Sequence, residues 1–183
     1  GRFRLIRIAR TEDGPVRSSI RAEFAWRNSS IEMTHSLWRT ADQLSVLCEV
    51  NWQERETMLK WEMQCAGDTS GRTAEIPFGF AKRPSDGVEY PMQSWVRLGN
   101  LTVINDGKFA YDALDSRLRI TLLRSPRYAH HTPKVCTSEE HYPFIDQGWQ
   151  TVRFALCPEL CPILEAIVQS QRAGIREMER LLR

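Results

Sequence analysis

Residues 44–52 read LSVLCEVNW, and this stretch decides the predicted fold because apolar and polar residues alternate along it. One phase of the alternation is apolar and consists of Leu44, Val46, Cys48, Val50 and Trp52. The other phase contains Ser45, Glu49 and Asn51. Successive side chains of a β-strand point to opposite faces, so a period of two predicts a strand with one buried and one solvated face.

The same alternation recurs on both sides of this stretch. Three further segments repeat it, at residues 20–26, 31–37 and 59–65, and shorter strand candidates follow at residues 74–80, 95–98, 101–104, 118–123 and 152–156. Pro77 lacks an amide hydrogen, so the strand at residues 74–80 is expected at a sheet edge or with a bulge. Many short strands separated by turn residues predict an all-β chain folded as an antiparallel two-sheet β-sandwich.

The end of the chain has a different periodicity. From Pro162 onward, apolar residues recur at steps of three and four, namely Ile163, Leu164, Ile167, Val168, Ile175, Met178 and Leu182. This spacing predicts a C-terminal amphipathic α-helix. The chain is therefore predicted to consist of a β-sandwich domain at residues 1–158 and a helical segment at residues 159–183.

Composition argues against several classes of partner and location. The chain carries 25 basic and 23 acidic residues without a basic stripe, so nucleic acid is not an expected partner. Polar residues interrupt every apolar run, so neither a membrane span nor a secretory signal is expected. The five cysteines are an odd number without C-x-x-C pairs. A reducing compartment, and hence a cytoplasmic location, is the expectation.

The common catalytic motifs are absent: the sequence has no G-x-S-x-G elbow, no glycine-rich phosphate loop and no H-E-x-x-H. Zinc-ligand types cluster at His130, His131, Cys136 and His141. Their spacing is irregular, which favours an ordinary surface loop, and no metal site is predicted. Glycoside cleavage usually needs two carboxylates that face each other, and Asp106, Asp112 and Asp115, which lie close in sequence, are candidates. Asn105-Asp106-Gly107 also fits a hairpin turn, and local sequence favours that turn.

Aromatic residues and the terminal helix suggest two binding functions. Trp26, Trp52 and Trp61 share the apolar phase of their strands and are expected in the core. Exposed Trp38, Trp95 or Trp149 would form a stacking platform for sugar rings, as in an independent carbohydrate-binding module. Alternatively, the apolar helix face with Ile163, Ile167 and Met178 would dock a partner of a structural interaction domain.

Six blocks of the sequence, taken in their order along the chain, match a pattern found in a known protein family. They are GPVR at residues 14–17, VNWQER with LK at 50–60, IPFG with RP at 76–84, VINDGK with YD at 103–112, LRITLLRSP at 118–126, and DQG with FALCP at 146–158. Together they resemble the region C-terminal to the catalytic domain in the α-mannosidases of glycoside hydrolase family 38. The resemblance implies a β-sandwich of the supersandwich type.

The resemblance also implies a function. In that family, catalysis belongs to an N-terminal barrel that holds a zinc ion and an aspartate nucleophile, and the reaction is retaining. This chain would then be a non-catalytic part of a zinc-dependent α-mannosidase, and inactive alone. Its expected partners are the catalytic barrel of the same polypeptide, which would bind the zinc, and a mannose-containing glycan. No catalytic residue or zinc ligand is expected within these residues.

One loop gains importance from the resemblance. The family loop that corresponds to residues 105–112 comes near the substrate cleft. The resemblance therefore makes five residues candidates for the cleft or for the domain contact: Asn105, Asp106, Lys108, Tyr111 and Asp112. Asp106, Lys108 and Asp112 are expected to face the barrel, where carboxylate and ammonium groups would bind sugar hydroxyls or brace the contact.

Overall fold

The computed structural model describes residues 1–127 and 141–158, and there the chain is all β. The strands are β1 (Arg4–Asp13), β2 (Arg17–Trp26), β3 (Ser29–Trp38), β4 (Leu44–Trp52), β5 (Met58–Gln64), β6 (Gly71–Ile76), β7 (Gly79–Pro84), β8 (Tyr90–Pro91), β9 (Trp95–Leu98), β10 (Leu101–Asn105), β11 (Ala110–Leu114), β12 (Arg117–Arg124) and β13 (Gly148–Cys157). In this part of the chain, no helix has the length and hydropathy needed to cross a lipid bilayer.

The strands form two antiparallel sheets. The larger sheet has nine strands in the order β1-β2-β3-β4-β13-β10-β9-β6-β7, and the smaller has four in the order β5-β12-β11-β8. The predicted antiparallel two-sheet arrangement is therefore confirmed. The predicted C-terminal helix, with Ile163, Ile167 and Met178, lies outside the described residues, as do His130, His131 and Cys136.

The core lies between the facing surfaces of the two sheets. Strand β4 behaves as its alternation predicts, because Val46, Cys48, Val50 and Trp52 are at most 2% exposed. Leu118 and Ile120 of β12 are fully buried opposite them in the same apolar cluster. Trp61 of β5 packs on Phe154 of β13, with ring centroids 4.8 Å apart. Burial of these apolar side chains is the main force that holds the sheets together.

One prediction about strands is wrong, and the first strand was missed. Residues 74–80 are not one strand, because β6 and β7 form a hairpin in which Ile76 pairs with Gly79. Pro77 occupies the first central position of the turn and Phe78, with φ of 65°, the second, which is the combination that type II turns use. The hairpin does end the sheet, since β7 is its edge strand. Strand β1 was not predicted, because two register shifts against β2 disrupt its alternation.

Candidate functional site

The candidate segment at residues 105–112 connects the two sheets. Strand β10 belongs to the nine-stranded sheet and β11 to the four-stranded sheet, so the hairpin predicted at Asn105-Asp106-Gly107 is wrong. Both edges of β10 are already paired, with β9 and β13, which leaves no edge for β11. The Asn105 side-chain oxygen accepts hydrogen bonds from the amides of Gly107 (3.0 Å) and Lys108 (2.6 Å). This Asx turn directs the chain towards the other sheet.

Asp106 and Lys108 bind to residues on opposite faces of β13. Asp106 accepts a hydrogen bond from the Arg153 amide (2.9 Å), and its other carboxylate oxygen lies 3.5 Å from Arg153 Nη1. Lys108 Nζ donates to Gln150 Oε1 at 3.4 Å. Gln150 and Arg153 are three positions apart on one strand, so their side chains point to opposite faces. Of the candidate residues, Asp106 keeps the most accessible carboxylate, with a side chain 45% exposed.

Tyr111 lies inside the sandwich. It is fully buried on β11, and the Arg72 guanidinium lies 5.4 Å from its ring centroid. Arg72 is itself buried and pairs with Asp86 at 3.1 Å. Burial raises the pKa of the Tyr111 hydroxyl, so this group stays neutral. Tyr111 therefore packs the core beneath the candidate segment.

Asp112 lies on the outer face of the four-stranded sheet, where it is only 1% exposed. Its carboxylate oxygens lie 2.5 Å from Lys60 Nζ and 2.5 Å from Arg119 Nε. Lys60 also contacts Glu89 at 2.5 Å. Two cations balance this carboxylate and fill its acceptor positions, so it fastens β11 to β5 and β12. The predicted loop is thus partly strand, because Tyr111 and Asp112 belong to β11.

The partners of the candidate residues were not found from the sequence. Three partners, Lys60, Gln150 and Arg153, lie 42 to 52 positions from the candidate residues that they bind. Arg119 lies seven positions from Asp112, and it too meets its partner only through strand pairing. Arg119, for example, is placed directly opposite Asp112 by the register of β11 and β12. The alternation along each strand predicts which face these partners occupy. Only the register between strands shows which candidate residue each of them meets.

The three tryptophans proposed as a sugar platform have different environments. Trp95 is buried, at 5% exposed, so it offers no ring for a sugar platform. Trp38 is partly exposed, but the Arg17 guanidinium stacks 4.8 Å from its ring centroid. Trp149 is 72% exposed and pairs across the strands with Asn51. Trp149 is therefore the platform candidate that keeps an open aromatic face.

Metal-binding residue types do not converge in residues 1–127 and 141–158. Within those ranges, no three histidine, cysteine, aspartate or glutamate side chains are placed to hold a metal ion. Cys48 and Cys65 are buried among apolar residues, as predicted from their strand phase. Burial raises the pKa of the Cys48 thiol to about 12, although the nearby Lys108 ammonium lowers it. A thiol of this kind is a poor nucleophile at neutral pH.

Comparison with known proteins supports the resemblance. A family model described as the glycosyl hydrolases family 38 C-terminal domain matches residues 4–132. Alpha-mannosidase G of Dictyostelium discoideum is 24% identical over 133 residues, which covers 63% of this chain and 12% of that protein.

Two solved structures share the fold. A crystal structure of an alpha-mannosidase from Enterococcus faecalis V583 has a TM-score of 0.72 and 15% identity, covering 94% of this chain and 24% of its own. A glycosyl hydrolase family 38 protein from Enterococcus faecalis has a TM-score of 0.73 and 17% identity, covering 94% and 25%. The chain thus spans a quarter or less of these proteins. Because the family model matches more than half of the chain, the protein belongs to the glycosyl hydrolase family 38 C-terminal domain family.

Proposed function

We propose that this chain is a non-catalytic β-sandwich of a retaining, zinc-dependent α-mannosidase that hydrolyses mannose-containing glycans. The family match over residues 4–132 carries the proposal. In this role the chain packs beside the catalytic barrel of the same polypeptide and completes the wall of the substrate cleft. Similarity to α-mannosidases of which the chain spans a quarter or less supports a part of a larger enzyme.

The engagement of the carboxylates supports a non-catalytic role. Glycoside cleavage usually needs two carboxyl groups facing each other across a cleft, about 5 to 10 Å apart. Asp112 is buried between Lys60 and Arg119, and Asp106 accepts the Arg153 amide. Both groups therefore hold strands together, and we assign acid and nucleophile to the barrel.

The donor set of the described residues does not fit a zinc site. Structural and catalytic zinc ions need three or four converging nitrogen, sulfur or oxygen ligands. No such group is formed within residues 1–127 and 141–158. We therefore assign the zinc of the parent enzyme to its catalytic barrel and derive no step through it here.

Activity and zinc dependence of the 183-residue chain test the proposal. The purified chain is expected not to hydrolyse a chromogenic aryl α-mannoside, with or without added zinc. Zinc that bound the folded state would raise the thermal unfolding midpoint. Because the chain is proposed to bind no zinc, its midpoint is expected to be the same in zinc and in a chelator. Turnover of the mannoside by the pure chain would overturn the non-catalytic role.

The candidate segment is tested in the full enzyme. Lys108→Ala is expected to lower kcat/KM about tenfold if Lys108 contacts sugar or barrel, the loss of roughly one charge-assisted hydrogen bond. Arg117→Ala is the matched control, since it removes an exposed cation from the four-stranded sheet. Equal kcat/KM for Lys108→Ala and the control would show that Lys108 does not contact the substrate or the barrel.

A second candidate function is sugar binding by the chain itself. Trp149 favours it, since its ring is open and Asn51, directly opposite, offers amide hydrogen bonds. A mannose oligosaccharide titration followed by tryptophan fluorescence tests this function. A saturable change that is lost in Trp149→Ala and kept in Trp38→Ala would support the binding module, and no change in the wild-type chain would exclude it.

A further inference from the structure

A cleft of about 570 Å³ lies on the nine-stranded sheet near the β6-β7 end. It is lined by residues of β6, β7 and β9 together with the loops at residues 67–70 and 99–100. None of the five candidate residues at positions 105–112 lines it. The cleft is therefore a separate feature of this domain.

Strand register places two cations on either side of a hydroxyl group in this cleft. Thr73 of β6 is directly opposite Lys82 of β7 on one side and Arg97 of β9 on the other. Directly opposed residues project from the same face of a sheet. With strands about 4.8 Å apart, the Lys82 and Arg97 side chains begin roughly 10 Å apart and flank Thr73. Both side chains are long enough to reach a group held between them.

Among the described residues, these two cations have no acidic partner. Across residues 1–127 and 141–158, neither Lys82 nor Arg97 forms an ion pair or a side-chain hydrogen bond. Asp68 also lines the cleft, but it forms no ion pair with either cation. Hydrogen bonding by Ser70, whose amide donates at 3.0 Å, lowers the pKa of Asp68, so this carboxylate stays anionic on the loop before β6. Arg72, a further lining residue, is already paired with Asp86. The charge of Lys82 and Arg97 is thus available to a bound anion.

The wall of the cleft is fixed before any ligand arrives. The Asn100 amide donates to the Ala66 carbonyl at 2.9 Å, and the Ala66 amide donates to Asn100 Oδ1 at 3.2 Å. Gly99, with φ of 56°, allows these two hydrogen bonds to form, because a Cβ at this position would lie 2.0 Å from the Ala66 carbonyl oxygen. A preformed wall reduces the ordering entropy that binding must overcome.

We propose that this cleft binds a small anionic ligand whose phosphate monoester or carboxylate group sits between Lys82 and Arg97. A guanidinium group forms paired hydrogen bonds with either anion, and an ammonium group adds a point charge. The Thr73 hydroxyl supplies a further donor at the floor. The volume leaves room for the body of the ligand, since small-molecule sites commonly measure about 300 to 1,000 Å³.

Calorimetric titration of the 183-residue chain tests this site with four probes: inorganic phosphate, a hexose 6-phosphate, a hexuronate and the neutral hexose. The anions are expected to bind and the neutral hexose is not, and the tighter of the two anionic sugars identifies the group recognised. Affinity is expected to fall between about 50 mM and about 200 mM salt, because both cations are partly accessible. Lack of binding by all three anions, or equal binding of the neutral hexose, would overturn the proposal.

Variants locate the binding within the cleft. Arg97→Gln and Lys82→Gln are each expected to weaken anion binding about tenfold, the loss of one charge-assisted interaction. Arg124→Gln is the matched control, an exposed cation at the end of β12 that does not line the cleft. If Arg97→Gln unfolds the chain, Arg97→Lys and Lys82→Gln serve instead. Unchanged affinity in a folded cleft variant would place the anion elsewhere and overturn the assignment.

Discussion

The covered and uncovered parts of the nine-stranded sheet differ in burial, although their sequences follow the same rule. One cross-strand row runs from Ile8 on β1 through Ala22 and Met33 to Cys48 on β4. All four side chains lie on the apolar face, yet Ile8 is 62% exposed, whereas Ala22 and Met33 are 6% and 8% exposed and Cys48 is fully buried. Alternation therefore identifies an apolar face, whereas the second sheet sets how much of that face is buried.

The uncovered part is more than a single residue. Leu5, Ile20 and Leu37 also lie on this face and are 45% to 57% exposed. The covered part meets β5 and β12, whose inner residues fill the space over β4 and β13. The same apolar residue type should therefore contribute very differently to stability in the two parts, because the hydrophobic contribution follows the area removed from water.

The largest effect is expected in the covered part. Trp52→Ala should lower the free energy of unfolding by about 3–5 kcal/mol, because it leaves a large cavity in a fully buried position. Urea denaturation of the wild type and the variant measures the change. A loss below about 1 kcal/mol would mean that the two sheets do not pack over β4 as described.

Removing one cation from Asp112 is expected to have the next largest effect. Arg119→Met should cost about 1–3 kcal/mol, since it leaves an acceptor of a buried carboxylate unsatisfied. Arg117→Met, two positions away on β12 and exposed, is the control and should change stability little. Equal effects of the two variants would show that Lys60 alone suffices to hold Asp112.

At the covered end of the row, burial of Cys48 should make the free energy of unfolding depend on pH. The pKa of Cys48 rises from 9.0 to about 12 on folding, chiefly through burial. The folded state then binds a proton that the unfolded state loses, so this stabilisation is complete below pH 9 and decreases as the pH rises towards 12. The slope is at most about 1.4 kcal/mol per pH unit.

Cys48→Ala isolates this slope from other titrations. The difference in unfolding free energy between wild type and variant should shrink between pH 9 and pH 10, as measured by urea denaturation at each pH. The cavity left by the variant shifts its stability at every pH and does not change the slope. A difference that stays constant over this range would mean that water reaches the Cys48 thiol.

The smallest effect is expected at the exposed end of the row. Ile8→Ala should change the free energy of unfolding by less than about 0.5 kcal/mol, because little apolar area is lost from a side chain already in contact with water. The same urea measurement on the 183-residue chain checks it. A loss above about 2 kcal/mol would show that this part of the sheet is covered in solution.

The candidate site could be predicted only in part. The sequence correctly indicated that residues 105–108 form a turn, since Asn and Gly there have a local physical role. It did not indicate that this turn changes sheets, because that depends on β9 and β13 occupying both edges of β10. It also grouped Tyr111 with Asp112, although adjacent residues of a strand must point in opposite directions and only one enters the core.

Residue order alone indicates that this protein is all β, which faces of β4 and β5 are apolar, and to which family the chain belongs. The first two depend on side-chain periodicity and turn chemistry, which act locally within each segment, and the third depends on the order of six blocks along the chain. Only the tertiary structure decided the strand order, the pairing of Arg119 with Asp112, the cations beside Thr73, and the exposure of Ile8. These depend on register and on the extent of the covering sheet, which are set by contacts between different strands, some consecutive in the chain and others far apart.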